Sequence, residues 1–181
     1  LHTLPRNGVG AELGVCKGEN AVNLLHYSRA KKLYLVDPWD NKEPLGEEGN
    51  PNHITAPEYF LFEKYGRNYQ TLVQKIFKDE IESGKVETIR SYAKPWLDSC
   101  NILFDWIYID TTHTFDETFE TVESSVNVLK RGGVLGIHDY ETGFPCGWDT
   151  MTPVMYFMGT FLYPVAWAGT DRGITLFCKK I

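Results

Sequence analysis

Carboxylates and imidazoles recur in this chain where apolar runs end. Asp37 closes the run Leu33–Val36, Asp110 closes Phe104–Ile109 with His113 three residues on, and His138-Asp139 closes Val134–Ile137. Asp110, His138 and Asp139 form one constellation. Carboxylates at adjacent strand ends repel unless a proton or a cation separates them. Oxygen ligands suit Mg²⁺, and a histidine among them admits Mn²⁺ or another transition ion. The alternative is a metal-free site in which His138 and Asp139 are hydrogen-bonded. Asp37 lies 23 residues after Gly14, and a carboxylate there can accept hydrogen bonds from two ribose hydroxyls. The plainer alternative is an Asp that caps the turn made by Pro38.

The glycines near the start need separating. Gly8-x-Gly10 followed by Gly14 looks like part of a dinucleotide fingerprint, but the third glycine of that pattern would fall at 13, where Leu stands. The early glycines also precede the apolar run instead of following it. The better segment is Glu12-Leu13-Gly14-Val15-Cys16-Lys17-Gly18, in which Gly14 and Gly18 let the backbone pass close to a ligand before a helix begins. A plain strand-to-helix turn is its alternative.

These residues have to be carried by elements, and the apolar pattern supplies them. Strands are predicted at Val9–Val15, Leu33–Val36, Val86–Arg90, Phe104–Ile109 and Val134–Ile137, with a closing pair at Phe161–Ala168 and Ile174–Lys179. Helices are predicted over Gly18–Ser28, along Leu61, Phe62, Tyr65, Leu72, Val73, Ile76 and Phe77 with a break at Gly66, and over Pro95–Cys100. The clearest helix starts at Thr114-Phe115-Asp116-Glu117, a capping box. It continues as a stripe of Phe115, Phe119, Val122, Val126 and Leu129 and stops at Gly132-Gly133. Asn41–Ala56 is polar with Gly and Pro and reads as a long loop, after which Pro57 suits a first helical turn. Alternating strands and helices predict an α/β, doubly wound, mostly parallel seven-stranded sheet with a C-terminal antiparallel hairpin. In such a sheet ligands bind at the carboxyl ends of the strands, where Glu12–Gly18, Asp37, Ser91-Tyr92-Ala93, Asp110 with His113, and His138-Asp139 all fall.

Five stretches in order, Glu12–Gly18, Leu33–Trp39, Val86–Ala93, Phe104–Phe115 and Leu129–Tyr140, make the chain resemble a class I S-adenosylmethionine-dependent methyltransferase. The last two resemble the small-molecule O-methyltransferase branch that includes macrolide-sugar O-methyltransferases and cephalosporin-hydroxylase-like proteins. The resemblance implies that Glu12, Gly14, Gly18, Asp37, Ser91, Tyr92 and Asp110 bind S-adenosylmethionine, with Asp37 on the ribose and Ser91, Tyr92 and Ala93 near the adenine. Trp39 either stacks nearby or anchors its loop. Related metal-dependent enzymes place acidic ligands at the ends of these two strands, which makes Asp110, His138 and Asp139 the candidates for Mg²⁺ or another divalent metal. Many relatives read D-G-D-H-S-Y where this chain reads Asp110-Thr111-Thr112-His113-Thr114-Phe115, so Thr112 replaces an acid. His113, with Asp110 beside it, is then the catalytic candidate. An imidazole titrates near pH 6.5 and can take a proton from a hydroxyl. Its alternatives are a helix cap or a partner for Asp110. Residues 41–56 and 142–160, with Phe144, Trp148, Met151, Met155, Tyr156, Phe157 and Met158, are expected to wall the acceptor or to pack as a helix on the sheet.

The expected reaction is methyl transfer to a hydroxyl of a small molecule such as a sugar or natural product. The alternative is a non-catalytic module that binds S-adenosylmethionine or S-adenosylhomocysteine. A nicotinamide-dependent oxidoreductase is disfavoured by the glycine spacing and the terminal hairpin. The 181 residues hold 18 Lys and Arg against 24 Asp and Glu, a net charge of −6, which disfavours nucleic acid as the substrate. No apolar run is long enough to span a bilayer and no signal-like start is present, so a cytoplasmic protein without a membrane partner is expected. Cys16, Cys100, Cys146 and Cys178 form no C-x-x-C pair, and Cys16 and Cys178 read as small core residues. The expectation is one domain over 1–181 without the N-terminal helices that cover the site in relatives, that cover coming from chain beyond Leu1 or from the partner in a homodimer.

Overall fold

The computed structural model describes residues 1–39, 69–140, 149–170 and 173–181. The predicted loop at 41–56, Pro57, Leu61, Phe62, Tyr65, Gly66, Phe144, Cys146 and Trp148 lie outside the described residues. In chain order the elements are β1 (Val9–Leu13), α1 (Glu19–Ser28), β2 (Lys32–Asp37), α2 (Tyr69–Ile76), α3 (Lys78–Glu82), β3 (Val86–Arg90), α4 (Ala93–Ser99), β4 (Phe104–Ile109), α5 (Phe115–Val128), β5 (Leu129–Ile137), α6 (Met151–Met155), β6 (Leu162–Thr170) and β7 (Gly173–Lys180). They build a seven-stranded sheet in the order β3-β2-β1-β4-β5-β7-β6. The first five strands run parallel, and β7 lies antiparallel to both β5 and β6. The expected α/β sheet with its terminal hairpin is therefore present.

Strand order reverses between β1 and β4, the two strands that leave the centre of the sheet in opposite directions. This reversal opens a crevice at their carboxyl ends. Alternation along β4 explains why its sequence is apolar throughout. Ile107 and Ile109 join one core with Leu97, Val122 and Val126, while Trp106 and Tyr108 join a second core with Leu24, Val73 and Phe77 on the other face. A sheet covered on both faces needs apolar residues at both parities.

Several local expectations are corrected. β1 ends at Leu13 instead of Val15. α5 ends at Val128, and Leu129, read as the last residue of its stripe, instead opens β5 opposite Phe104. Strand pairing, not Gly132-Gly133, ends that helix, and both glycines lie within β5. Thr114 does cap α5, but its side chain makes no cap hydrogen bond, so the capping box is not formed. Phe115 is exposed and stacks on Phe119, which packs on Tyr156 and Phe157. The buried face of α5 is Thr118, Thr121, Val122, Ser124, Ser125 and Val126. Ile76 is exposed, whereas Leu72, Val73 and Phe77 are buried. Cys178 is buried as expected, but Cys16 is exposed. Of the 151–158 stretch, Val154 and Phe157 pack into the core, while Met155 and Tyr156 face outward. Among the described residues no helix is long and apolar enough to cross a membrane.

Candidate active site

The ends of β1, β2 and β4 are tied by backbone hydrogen bonds. Gly14 N donates to Val36 O (2.9 Å) and Asp110 N donates to Leu13 O (2.8 Å). Gly14 sits at φ +86°, and a Cβ there would lie 1.9 Å from Asp110 O. Glycine is thus required here for close approach to a neighbouring strand end. Gly18, at φ +83°, precedes α1 and packs on Val73.

Glu12 lies beneath this loop, 1% exposed. Its Oε1 accepts a bond from Asn20 Nδ2 (2.8 Å), while Oε2 is buried without a partner. Burial pushes its carboxyl well above the ordinary range. Asn20 pulls the other way, and the negative charges of Asp110 and Asp37 add to the rise.

Asp37 clamps the loop above. Its Oδ2 accepts from Val15 N (2.8 Å) and Cys16 N (2.9 Å), and its Oδ1 accepts from Trp39 N (2.7 Å). These three bonds are the turn-capping role, and they fix the carboxylate at the end of β2. Trp39 is buried and donates Nε1–H to Cys16 O (2.9 Å), so it anchors the loop and does not offer a stacking face. Arg90 was not foreseen. It donates to Pro38 O (3.1 Å) and Trp39 O (3.2 Å), and it stands in register opposite Asp37. A basic residue closing the strand beside an Asp-Pro end was the signal that could have found it. Ser91 N donates to Asp37 O (3.1 Å), and Tyr92, 52% exposed, leads into α4 with Ala93 buried beneath it.

At the ends of β4 and β5 four side chains converge. His113 Nε2 lies 3.2 Å from Asp110 Oδ1 and 3.7 Å from Asp139 Oδ2. His138 Nδ1 lies 3.3 Å from Asp110 Oδ1 and 3.2 Å from Asp139 Oδ1. It is buried, and neither contact has hydrogen-bond angles. Burial alone would raise Asp110, but His113 and His138 bring its carboxyl down to about 2. Asp110 and Asp139 in turn raise the His138 imidazole to about 10. His113 (φ 62°) and Asp139 (φ 45°) both occupy the left-handed region, a strained backbone that clusters at functional sites. The structure thus brings Asp110, His138 and Asp139 together as expected and adds His113 to them, in the paired arrangement with Asp110 that the sequence left open. Thr112 donates its hydroxyl to Glu117 in the first turn of α5.

A family model described as a methyltransferase domain matches residues 11–140, which span this whole set of strand ends. No curated protein matches the chain. Solved structures share the fold at low identity. The N-methyltransferase NodS from Bradyrhizobium japonicum aligns with a TM-score of 0.63 at 13% identity, over 97% of this chain and 86% of that one. An rRNA methylase from Streptococcus thermophilus aligns at 0.61 and 12%, over 98% and 89%. SMU.1697c from Streptococcus mutans, solved with S-adenosylhomocysteine, aligns at 0.61 and 12%, over 98% and 91%.

Proposed function

The chain belongs to this methyltransferase-domain family, and from that premise we propose that it moves a methyl group from S-adenosylmethionine to a hydroxyl of a small molecule such as a sugar or natural product. The observation that carries the reading is Glu12, a buried carboxylate with one unpartnered oxygen at the point where strand order reverses. A cationic ligand group placed there supplies the missing donor and relieves the cost of ionising it. Such a group is the α-ammonium of S-adenosylmethionine.

When bound, that cofactor supplies an electrophilic sulfonium methyl. The chain's own part is to hold, orient and take a proton. Glu12, Gly14 and Gly18 surround the methionine end, Asp37 serves the ribose, and Ser91 and Tyr92 border the adenine. Asp110 stands between the two halves of the site, next to Gly14 on one side and to His113 on the other. His113, oriented through Nε2 by Asp110, takes the acceptor's proton. Holding the acceptor oxygen in line with the methyl supplies much of the rate.

A divalent cation fits the same end. Asp110, His138 and Asp139 converge, and the buried His138 Nδ1 lacks a hydrogen bond that an ion would replace. Such an ion lowers the pKa of a hydroxyl. Thr112 supports a second reading, a module that binds the cofactor without catalysis, because its hydroxyl is spent on Glu117 and offers no proton acceptor. The net charge of −6 favours a small acceptor over RNA.

The test is calorimetric titration with S-adenosylmethionine and S-adenosylhomocysteine, with NADH as control. Saturable binding of the first two and none of NADH is expected. Folded protein that binds neither would overturn the reading. Assays with hydroxylated small molecules, amines and rRNA then separate the acceptor classes, and no turnover with any of them would favour the binding module.

A further inference from the structure

We propose that the cluster at the ends of β4 and β5 is a transition-metal site whose ligands are Asp110, His113 and His138, so that it takes an ion such as Zn²⁺ or Mn²⁺ in preference to Mg²⁺. This deepens the methyl-transfer reading and, for its catalytic use, rests on it.

The distances are those a small ion requires. Ions held at about 2.0–2.2 Å by nitrogen and oxygen set neighbouring ligands roughly 2.8–3.6 Å apart in octahedral or tetrahedral arrangements. His113 Nε2 and His138 Nδ1 stand 3.2 and 3.3 Å from Asp110 Oδ1. The three ligand atoms all lie within 4.8 Å of one another.

The backbone holds this convergence from both sides. His138 N donates to Ile109 O (2.9 Å), which locks the end of β5 onto the end of β4 and sets His138 beside Asp110. His113 is turned back by its left-handed φ, and its carbonyl accepts from Asp149 N (2.9 Å). Side chains positioned in this way lose little freedom when an ion arrives.

The donor set decides which ion. Two imidazole nitrogens and one carboxylate suit Zn²⁺, Fe²⁺, Mn²⁺ or Ni²⁺, whereas Mg²⁺ prefers an all-oxygen shell. Asp139, 3.2 Å from His138 Nδ1 and 3.7 Å from His113 Nε2, brings a second negative charge. Two carboxylates and two neutral imidazoles balance a divalent cation. With an ion held there His113 Nε2 would be its ligand and not the base; the ion would lower the pKa of the acceptor hydroxyl, and the released proton would pass to water. The competing account holds the same contacts with protons on the two nitrogens.

The test is calorimetry of metal-stripped protein with Zn²⁺, Mn²⁺ and Mg²⁺, the visible spectrum with Co²⁺, and an S-adenosylhomocysteine titration of every variant. One Zn²⁺ or Mn²⁺ per chain is expected, with Mg²⁺ at least about tenfold weaker. His113→Ala should weaken Zn²⁺ by about tenfold or more and change the Co²⁺ spectrum, with S-adenosylhomocysteine binding kept as proof of folding. The exposed His26, replaced by Ala, should change nothing. Equal Zn²⁺ and Mg²⁺ affinities, or wild-type Zn²⁺ binding by His113→Ala, would overturn the proposal. Cofactor binding without any ion overturns the metal site alone, whereas ion binding without cofactor leaves the ligand set standing and removes the methyl-transfer reading.

Discussion

Glu12 is the residue whose burial sets a pH-dependent stability and which, in the proposed function, also meets the cofactor. Its carboxyl titrates above its unfolded value because it is buried. The stability it contributes is full below about pH 4.5 and is lost as pH rises through the raised value. Glu12→Gln keeps an acceptor for Asn20 but carries no charge. Its stability should overtake that of the wild type as pH rises, by about 1–3 kcal/mol near neutrality. Thermal melts from pH 4 to 8 check this, and a pH-independent difference would contradict it. The same variant should bind S-adenosylhomocysteine about tenfold or more weakly, because the ammonium loses its counter-charge. Trp39→Phe removes the bond from Nε1 to Cys16 O. It should cost about 0.5–1.5 kcal/mol in denaturant melts and lower cofactor affinity by loosening the Cys16 loop.

At the scale of elements, the loop from β1 to α1 depends on how near it passes to β4. Gly14→Ala places a Cβ 1.9 Å from Asp110 O at a φ of +86°. Backbone must move, so the loss should reach about 3 kcal/mol or more, and cofactor binding should fall with it. Gly132 has a similar φ of +75°, but nothing lies within 4 Å of its added Cβ. Gly132→Ala should therefore cost only about 1–2 kcal/mol and leave cofactor affinity unchanged. Urea melts with calorimetry on the two variants separate steric approach from backbone conformation. Equal losses would show that φ alone matters.

Across the whole molecule the two ends of the sheet divide the work. The carboxyl ends carry the left-handed residues Cys16, Trp39, His113 and Asp139, the unpartnered Glu12 oxygen and the His–Asp cluster. The opposite end carries a closed structural clamp. There Asp105 accepts from Val9 N (2.7 Å) and Lys130 Nζ (2.8 Å), tying the starts of β1, β4 and β5. Burial works against its charge, yet Lys130 and Val9 N hold the carboxyl below its usual range. Asp105→Ala should lower stability by about 1.5–3 kcal/mol with no change in S-adenosylhomocysteine affinity. A parallel loss of affinity would show that the two ends are coupled. A ligand that binds only the folded chain should stabilise Asp105→Ala as much as the wild type, by about 2.7 kcal/mol at a hundred times its dissociation constant.

The repeating arrangement of apolar runs and acidic ends was legible in the sequence, because covered strands are apolar at both parities and ligand-facing residues follow them directly. That pattern placed Glu12, Asp37, Asp110, His138 and Asp139 at strand ends without any coordinates. It misread features governed by contacts distant in sequence. Leu129 left the helical stripe because Phe104 pairs with it, and Phe115 turned outward because Tyr156 and Phe119 receive it. Cys16 became exposed because Asp37 and Trp39 hold its backbone at the loop surface. The tertiary structure alone decided that the glycine at 14 answers to Asp110 O and that His113 turns back onto the same carboxylate as His138. Spacing along one chain dictates which residues reach the end of a strand, and the register between strands dictates which of them meet.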